Sequence, residues 1–187
     1  MRWSGRREST DVEDRRGMPA PLRCARVSSP ARSGSDAQVY PYLLLVPEDY
    51  DPARAWPVEF NLHGGVNRPK SSEGVWWRRN HASLADPGRI VVVPAAWEDA
   101  YWWFSNQAEN LPEILRSIKQ DYNIDENRVT MSGVSDGGTG AYFFALFQPT
   151  PWAAFMPYIG NPGVLRNPNG RVSYPLYYEN LRGKPLY

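Results

Sequence analysis

Hydrophobic and polar positions follow two different periods along this chain. Short runs of apolar and β-branched residues, typical of strands, cover Tyr40–Val46, Val58–Leu62, Ile90–Val93 and Ala153–Ile159. A further run from Val129 leads towards Ser135. Ala108–Tyr122 instead has apolar residues at i, i+3, i+4, i+7 and i+11, which places them on one face of a helix. The pattern therefore predicts strands that alternate with helices.

Local signals define the ends of these helices less clearly than their faces. Ser105 or Asn106 is a suitable N-terminal cap for the amphipathic helix, and Pro112 is tolerated if it lies in the first turn. A second helix is predicted over Ser71–Ala85, although Gly74 and a pair of tryptophans interrupt its pattern.

Strands alternating with helices predict an α/β fold, with a mainly parallel central sheet and flanking helices, over residues 39–187. Ile90–Val93 supports the parallel arrangement, because an uninterrupted β-branched run is expected of a strand buried on both faces. Met1–Gln38 is rich in Arg, Ser, Pro, Asp and Glu without an apolar period, so residues 1–38 are predicted to be disordered. Its acidic residues argue against a transit peptide, and a start site placed too early is the alternative interpretation.

The composition excludes several classes of function. A net charge of +1 over 187 residues provides no basic surface for nucleic acid, so a small neutral substrate fits better. Cys24 is the only cysteine, and no phosphate loop or metal-ligand spacing occurs, so we expect no metal and no cofactor. No apolar run approaches the roughly 18 residues of a membrane span and no signal peptide is evident. The cytoplasm is therefore the default compartment, and the oligomeric state stays open.

Gly133–Gly137 matches the pattern G-x-S-x-G, with Ser135 at its centre. A β-branched run precedes it and an Ala/Phe-rich segment follows, which is the strand–turn–helix context that a nucleophile elbow requires. Glycine at 133 and 137 removes the Cβ atoms that would collide where strand and helix approach closely. The following helix directs its unpaired N–H groups at negative charge on a bound acyl group. The alternative interpretation of Ser135 is a small residue in a tight turn.

This motif, the strand end Asn61–Gly65 and the block Tyr122–Val129 make the chain resemble the α/β-hydrolase fold superfamily. Within it, the chain is similar to esterases of the polyhydroxybutyrate-depolymerase and feruloyl-esterase type and to peptidase-like members. The resemblance covers the chain from Val39 to the C-terminus. It implies that Ser135 attacks the carbonyl of a small-molecule ester or related acyl substrate.

Backbone and aromatic groups complete the candidate site. The resemblance implies an oxyanion hole formed by the N–H of Asp136 and an N–H of Gly64 or Gly65. Trp102 and Trp103 belong to a loop at the carboxyl end of the sheet, where open α/β sheets bind ligands, so both are candidate substrate-binding residues. The alternative is that they pack the rim of the domain.

The sequence offers no obvious base for the serine. In the superfamily the acid and the histidine follow the nucleophile, whereas His63 and His81 both precede Ser135. His63 is expected to brace the oxyanion loop and His81 to lie on a helix, with a displaced base as the alternative for each. After Asp136 the only carboxylate side chain is Glu179, which we expect to be solvated, with the triad acid as its alternative.

Gly183–Tyr187 looks like the start of the next core strand, which in the resembled family precedes the acid and histidine loops. We therefore expect a C-terminally truncated domain, missing the last strands and helices and inactive as this chain. Two other interpretations remain open. In one, the chain is an α/β-hydrolase-like protein that binds a ligand without turnover; in the other, it is a structural or interaction protein whose catalytic region has decayed.

Overall fold

Parallel strands form the centre of the sheet in the computed structural model, which describes residues 23–30, 39–70, 82–167 and 175–187. The strands are β1 (Arg23–Pro30), β2 (Val39–Val46), β3 (Trp56–Leu62), β4 (Ile90–Pro94), β5 (Ile124–Val134) and β6 (Ala154–Tyr158). They form a six-stranded sheet in the order β1-β2-β4-β3-β5-β6. β4, β3, β5 and β6 are parallel, whereas β1 and β2 are antiparallel additions at one edge. The predicted α/β fold with a mainly parallel sheet is confirmed.

Burial follows the sequence pattern strand by strand. β4 is buried at all of its residues, as its uninterrupted apolar run predicts. β3 alternates instead, with buried residues at Trp56, Val58, Phe60 and Leu62 and half-buried residues between them. The central sheet therefore has a strongly apolar face, and β4 is covered on both faces.

Three helices are described: α1 (Ser105–Asp121), α2 (Asp136–Phe147) and the short α3 (Gly163–Arg166). Single 3-10 turns occur at Ala82–Leu84 and Tyr178–Leu181. The apolar face predicted for α1 is confirmed, and its buried side chains are Leu111, Ile114, Leu115 and Ile118. These side chains pack against the same sheet face as Phe144 and Ala145 of α2, so both helices cover one side of the sheet.

The start of α1 differs from the prediction. The helix begins at Ser105 and its N-cap is Phe104, which makes no side-chain cap hydrogen bond, so neither Ser105 nor Asn106 is the cap. Pro112 consequently lies inside the helix and not in its first turn. A tertiary contact explains the earlier start, because the buried Gln107 donates from Nε2 to the carbonyl oxygen of Ala95 at 2.9 Å.

Two other predictions meet the structure only in part. β1 lies inside the segment predicted to be disordered, and all eight residues of Arg23–Pro30 pair with Val39–Val46. Pairing with a neighbouring strand supplies backbone hydrogen bonds that local composition does not reveal. Of the helix predicted over Ser71–Ala85, residues 71–81 lie outside the described residues, and only the 3-10 turn at Ala82–Leu84 falls within them.

The end of the chain runs beside β6, whose predicted position is confirmed. Leu186 forms a parallel bridge with Phe155. The Phe155 N–H donates to the carbonyl oxygen of Pro185 at 3.0 Å, and the Tyr187 N–H donates to that of Phe155 at 3.1 Å. The segment Gly183–Tyr187 thus begins a parallel pairing in the sheet, as its sequence predicts.

Candidate active site

Ser135 lies in the turn between Val134, the last residue of β5, and Asp136, the first residue of α2. Its φ of 56° and ψ of −119° are rarely adopted by residues other than glycine. Two backbone hydrogen bonds hold this conformation: the Ser135 N–H donates to the Tyr158 carbonyl at 3.0 Å, and the Ser135 carbonyl accepts from the Thr139 N–H at 2.9 Å. Ser135 itself is exposed, so the turn holds it accessible at the carboxyl end of the sheet.

Glycines make this turn possible, as the motif predicts. A Cβ atom on Gly137 would lie 1.9 Å from the carbonyl oxygen of Leu62 in β3, and one on Gly133 would lie 2.3 Å from that of Gly137. A Cβ on Gly138 would lie 2.5 Å from the carbonyl oxygen of Tyr158. Since backbone atoms in a buried sheet cannot retreat, the start of α2 approaches β3 and β6 only because these Cβ atoms are missing.

The loop after β3 lies directly beside Ser135. A Cβ atom on Gly64 would lie 3.1 Å from the Cβ and 3.7 Å from the Oγ of Ser135. The neighbouring N–H groups are already used, because those of Gly65 and Val66 donate to Oδ2 of Asp136 at 2.9 and 3.1 Å. The sequence left Gly64 and Gly65 open as the loop donor. Of these two, the Gly65 N–H donates to the Asp136 carboxylate.

His63 stabilises this loop through hydrogen bonds of its ring, as predicted. Its ring is buried, at 1% exposure, and Nε2 accepts a hydrogen bond from the Ala96 N–H at 3.1 Å. The proton therefore resides on Nδ1, which lies 2.9 Å from the carbonyl oxygen of Gly64 and donates to it. Both ring nitrogens are engaged, so His63 is not placed to remove a proton from Ser135. His81 lies outside the described residues.

Comparison with solved structures agrees with this arrangement. A thermostable esterase superposes with a TM-score of 0.58 and 22% identity, covering 86% of this chain and 45% of the esterase. The S-formylglutathione hydrolase of Staphylococcus aureus superposes with a TM-score of 0.54 and 19% identity, covering 76% of this chain and 61% of the hydrolase. This chain has the α/β-hydrolase fold.

The sequence relatives of this α/β-hydrolase chain are esterases. It is 27% identical over 150 residues to the bifunctional acetylxylan esterase/xylanase of Neocallimastix patriciarum, covering 78% of this chain and 21% of the relative. It is 26% identical over 148 residues to the probable feruloyl esterase C of Aspergillus terreus, covering 76% of this chain and 53% of the relative. No profile of a known protein family matches. Since the matches cover 21% and 53% of the two relatives, the chain spans at most about half the length of these curated proteins.

The two candidate substrate-binding tryptophans of the hydrolase domain have different environments. Trp102 is fully buried, at 0% exposure, and its Nε1 donates to the carbonyl oxygen of His63 at 2.9 Å. Its ring also packs edge-to-face against the His63 imidazole, with 5.1 Å between centroids. The large apolar ring of Trp102 is therefore taken up by the core beneath the loop, as in the alternative interpretation that it packs the domain. Trp103 is half-buried and stacks on Tyr101, and its contact with substrate stays a prediction.

Glu179 does not approach Ser135. It is exposed, as predicted, and its neighbour Asn180 donates from Nδ2 to the carbonyl oxygen of Leu146 at 2.7 Å. Leu146 is near the C-terminal end of α2, roughly 16 Å along the helix from Ser135 at 1.5 Å per residue.

Among the described residues, no three His, Cys, Asp or Glu side chains come together as a metal site. Within the same residues, no helix has the length and apolarity needed to cross a membrane.

The contact that sequence reasoning missed is the carboxylate of Asp136. From the sequence, Asp136 supplies an N–H to the oxyanion hole, and its side chain either tunes the site or caps the helix. In the fold, the half-buried side chain reaches instead to the loop of Gly65 and Val66. The sequence signal available for this contact is an acidic residue next to the serine of the turn, together with a glycine loop whose N–H groups need acceptors.

Proposed function

We propose that this chain carries the nucleophile and the oxyanion hole of a carboxylic-ester hydrolase, with Ser135 as the nucleophile. The observation that carries the proposal is the exposed Ser135 on a strained turn at the N-terminus of α2, with the Gly64 backbone beside its Oγ. Strain at a single exposed residue is characteristic of functional sites. The esterase relatives support the reaction class.

The proposed reaction is acyl transfer through Ser135. Its Oγ attacks the ester carbonyl, and the resulting oxyanion accepts hydrogen bonds from the N–H groups of Asp136 and Gly64. Collapse of this intermediate breaks the bond to the alcohol, which leaves with the proton that the Ser135 hydroxyl gave up. Water then attacks the acyl-enzyme, breaks the bond between the acyl group and Oγ, and releases the acid while Oγ regains a proton. The Asp136 N–H belongs to the first turn of α2, where backbone donors have no partner within the helix and the dipole favours negative charge.

The proton acceptor for this reaction is not among the described residues. His63 is engaged at both nitrogens, and Glu179 lies near the far end of α2. We therefore propose that Ser135 turns over esters slowly when only the described residues are there to activate it, because a neutral serine hydroxyl is a poor nucleophile. The proposed substrates are small esters with short acyl or aryl groups, by analogy with the acetylxylan and feruloyl esterases it resembles.

A fluorophosphonate probe followed by peptide mass spectrometry tests this proposal. We expect slow labelling at neutral pH, on the peptide that contains Ser135, and faster labelling as the pH rises. Ser135→Ala should abolish it, whereas Ser132→Ala, which changes a buried serine three residues earlier, should not. Labelling elsewhere in the chain would contradict the assignment of the nucleophile. Labelling at pH 7 as fast as that of a complete serine hydrolase would contradict the proposed lack of a base.

A second candidate function is ligand binding without turnover, which the engagement of both His63 nitrogens favours. Calorimetric titration with a slowly hydrolysed aryl ester distinguishes the two functions. Saturable binding together with no acyl adduct on Ser135 after prolonged incubation at high pH would favour the binding protein. An adduct on Ser135 would favour the hydrolase.

A further inference from the structure

We propose that the Asp136 side chain is a positioning residue that fastens the loop after β3 to the nucleophile elbow and so sets the geometry of the oxyanion hole. This inference rests on the proposed function of Ser135. It concerns the carboxylate of Asp136, whereas the oxyanion hole itself uses the backbone N–H of the same residue.

The fastening consists of two hydrogen bonds to one oxygen. Oδ2 of Asp136 accepts from the Gly65 N–H at 2.9 Å and from the Val66 N–H at 3.1 Å, across 71 and 70 residues of sequence. Hydrogen bonds from N–H groups to a carboxylate are stronger than bonds between neutral groups. The loop conformation is compatible with this contact because Gly65 has a φ of 68°, which glycine adopts without strain.

The contact restrains Gly64, the residue that carries the second proposed oxyanion donor. Gly64 directly precedes Gly65, so holding the Gly65 N–H fixes the peptide plane that joins the two residues. His63 holds the same plane through its hydrogen bond to the Gly64 carbonyl. The Gly64 N–H belongs to the adjoining His63–Gly64 peptide plane, whose carbonyl oxygen accepts from Nε1 of Trp102 at 2.9 Å, so both planes that meet at Gly64 are held. One residue, Asp136, therefore supplies one oxyanion donor from its backbone and orients the second donor through its side chain.

The charge of Asp136 and its hydrogen bonds are expected to have opposite effects on the rate of reaction at Ser135. A carboxylate close to a developing oxyanion opposes that charge by simple Coulomb repulsion. If charge dominated, removing it would accelerate reaction at Ser135. If positioning dominates, removing the acceptor slows the reaction, and a neutral acceptor of the same shape restores it. The two effects therefore predict opposite signs for the same variant.

Asp136→Ala and Asp136→Asn separate these effects in the full-length chain. Asparagine keeps a side-chain oxygen that accepts both N–H groups and loses the charge, whereas alanine loses both. Asp51→Ala is the matched control. The Asp51 side chain likewise accepts a hydrogen bond from a backbone N–H, that of Ala53 at 2.8 Å, but in the turn that precedes β3. The measurements are amide hydrogen exchange at Gly65 and Val66 by NMR and the rate of fluorophosphonate labelling of Ser135.

For Asp136→Ala we expect exchange at both amides to be about tenfold faster or more, and Ser135 labelling to be slower by about tenfold, a smaller loss than complete removal of an oxyanion donor. In Asp136→Asn, the exchange rates of both amides should stay within about threefold of wild type, and Ser135 should be labelled at least as fast as in wild type. Asp51→Ala should match wild type in both measurements. Unchanged exchange in Asp136→Ala, or faster exchange without slower labelling, would overturn the proposal. Faster labelling in both Asp136 variants would assign the effect to charge instead. Labelling that never reaches Ser135 in the wild-type chain would refute the proposed nucleophile, while exchange at Gly65 and Val66 would still report the contact.

Discussion

At the scale of single residues, the site depends on backbone strain that the surrounding fold offsets. A residue held at the φ of Ser135 costs on the order of 1–3 kcal/mol. Hydrogen bonds to Tyr158 and Thr139 tie the same residue to β6 and to α2. Gly137 and Gly138 let these elements come close enough for those bonds to form. The exposed position of Ser135 is therefore a consequence of close backbone packing around it.

Gly137→Ala tests this packing. We expect the free energy of unfolding, measured by urea denaturation, to fall by about 3 kcal/mol or more, because the new Cβ would lie 1.9 Å from the Leu62 carbonyl oxygen. Gly183→Ala is the control, since Gly183 has a φ of 71° and no atom within 4 Å of an added Cβ. That variant should lose only about 1 kcal/mol from backbone strain. Equal losses in the two variants would contradict the collision.

At the scale of elements, α1 is attached to the sheet by polar as well as apolar side chains. Gln107 is fully buried, and its Oε1 accepts from Nδ2 of Asn110 at 3.0 Å while its Nε2 reaches the carbonyl of Ala95 after β4. Burying these amides is favourable only because each makes such bonds. The helix consequently extends further towards its N-terminus than its apolar pattern predicts.

This extension leaves Pro112 at the eighth position of α1. Proline there has no N–H for the carbonyl of Ala108 and crowds that carbonyl. We expect Pro112→Ala to raise the free energy of unfolding by about 1–3 kcal/mol, measured by urea denaturation. Gln120→Ala, at an exposed position of the same helix, should change it by less than about 0.5 kcal/mol. A loss of stability in Pro112→Ala would indicate that packing of the half-buried proline ring outweighs its effect on the helix.

At the scale of the whole molecule, the two faces of the sheet differ. The face beneath α1 and α2 holds the larger apolar core, and around β2 and β4 the opposite face holds a second cluster with Tyr40 and Trp97. Along β3 and β5 that opposite face is polar, because Glu59 accepts from Arg89 at 2.8 Å and from Ser132 at 2.6 Å. The turn at Ser135 is thus supported by an apolar core on the side of the helices.

The burial of tyrosine side chains in these two apolar clusters implies a loss of stability at alkaline pH. Burial raises the pKa of Tyr42 in β2 above its ordinary value of 10.0, although its hydrogen bond with Ser117 acts in the opposite direction. The neutral phenol is favoured in the folded state, so this contribution to stability is fully present below the unfolded pKa of about 10 and is lost as the pH rises above it. Burial also raises the pKa of Tyr40, which adds to the effect.

Urea denaturation between pH 8 and 12 measures this effect. Each such tyrosine can lower the free energy of unfolding by up to about 1.4 kcal/mol per pH unit above pH 10. Tyr42→Phe should flatten the dependence, and should cost about 1 kcal/mol at pH 8 through the lost hydrogen bond. Tyr187→Phe, which changes a ring that is 79% exposed, should leave the curve unaltered. The same slope in Tyr42→Phe and wild type would contradict the assignment to Tyr42.

The sequence by itself determined the α/β order of elements, the elbow at Ser135 and the bracing role of His63. Short-range patterns carry these features: period-2 and period-3.6 hydrophobicity, and glycines spaced around one serine. Only the tertiary structure decided that Trp102 is core, that the Gly65 N–H is occupied and that the Asp136 carboxylate holds the loop. These outcomes depend on pairs such as Gly65 and Asp136, 71 residues apart. Contacts at such separation arise from strand order in the folded sheet, which local sequence patterns do not encode.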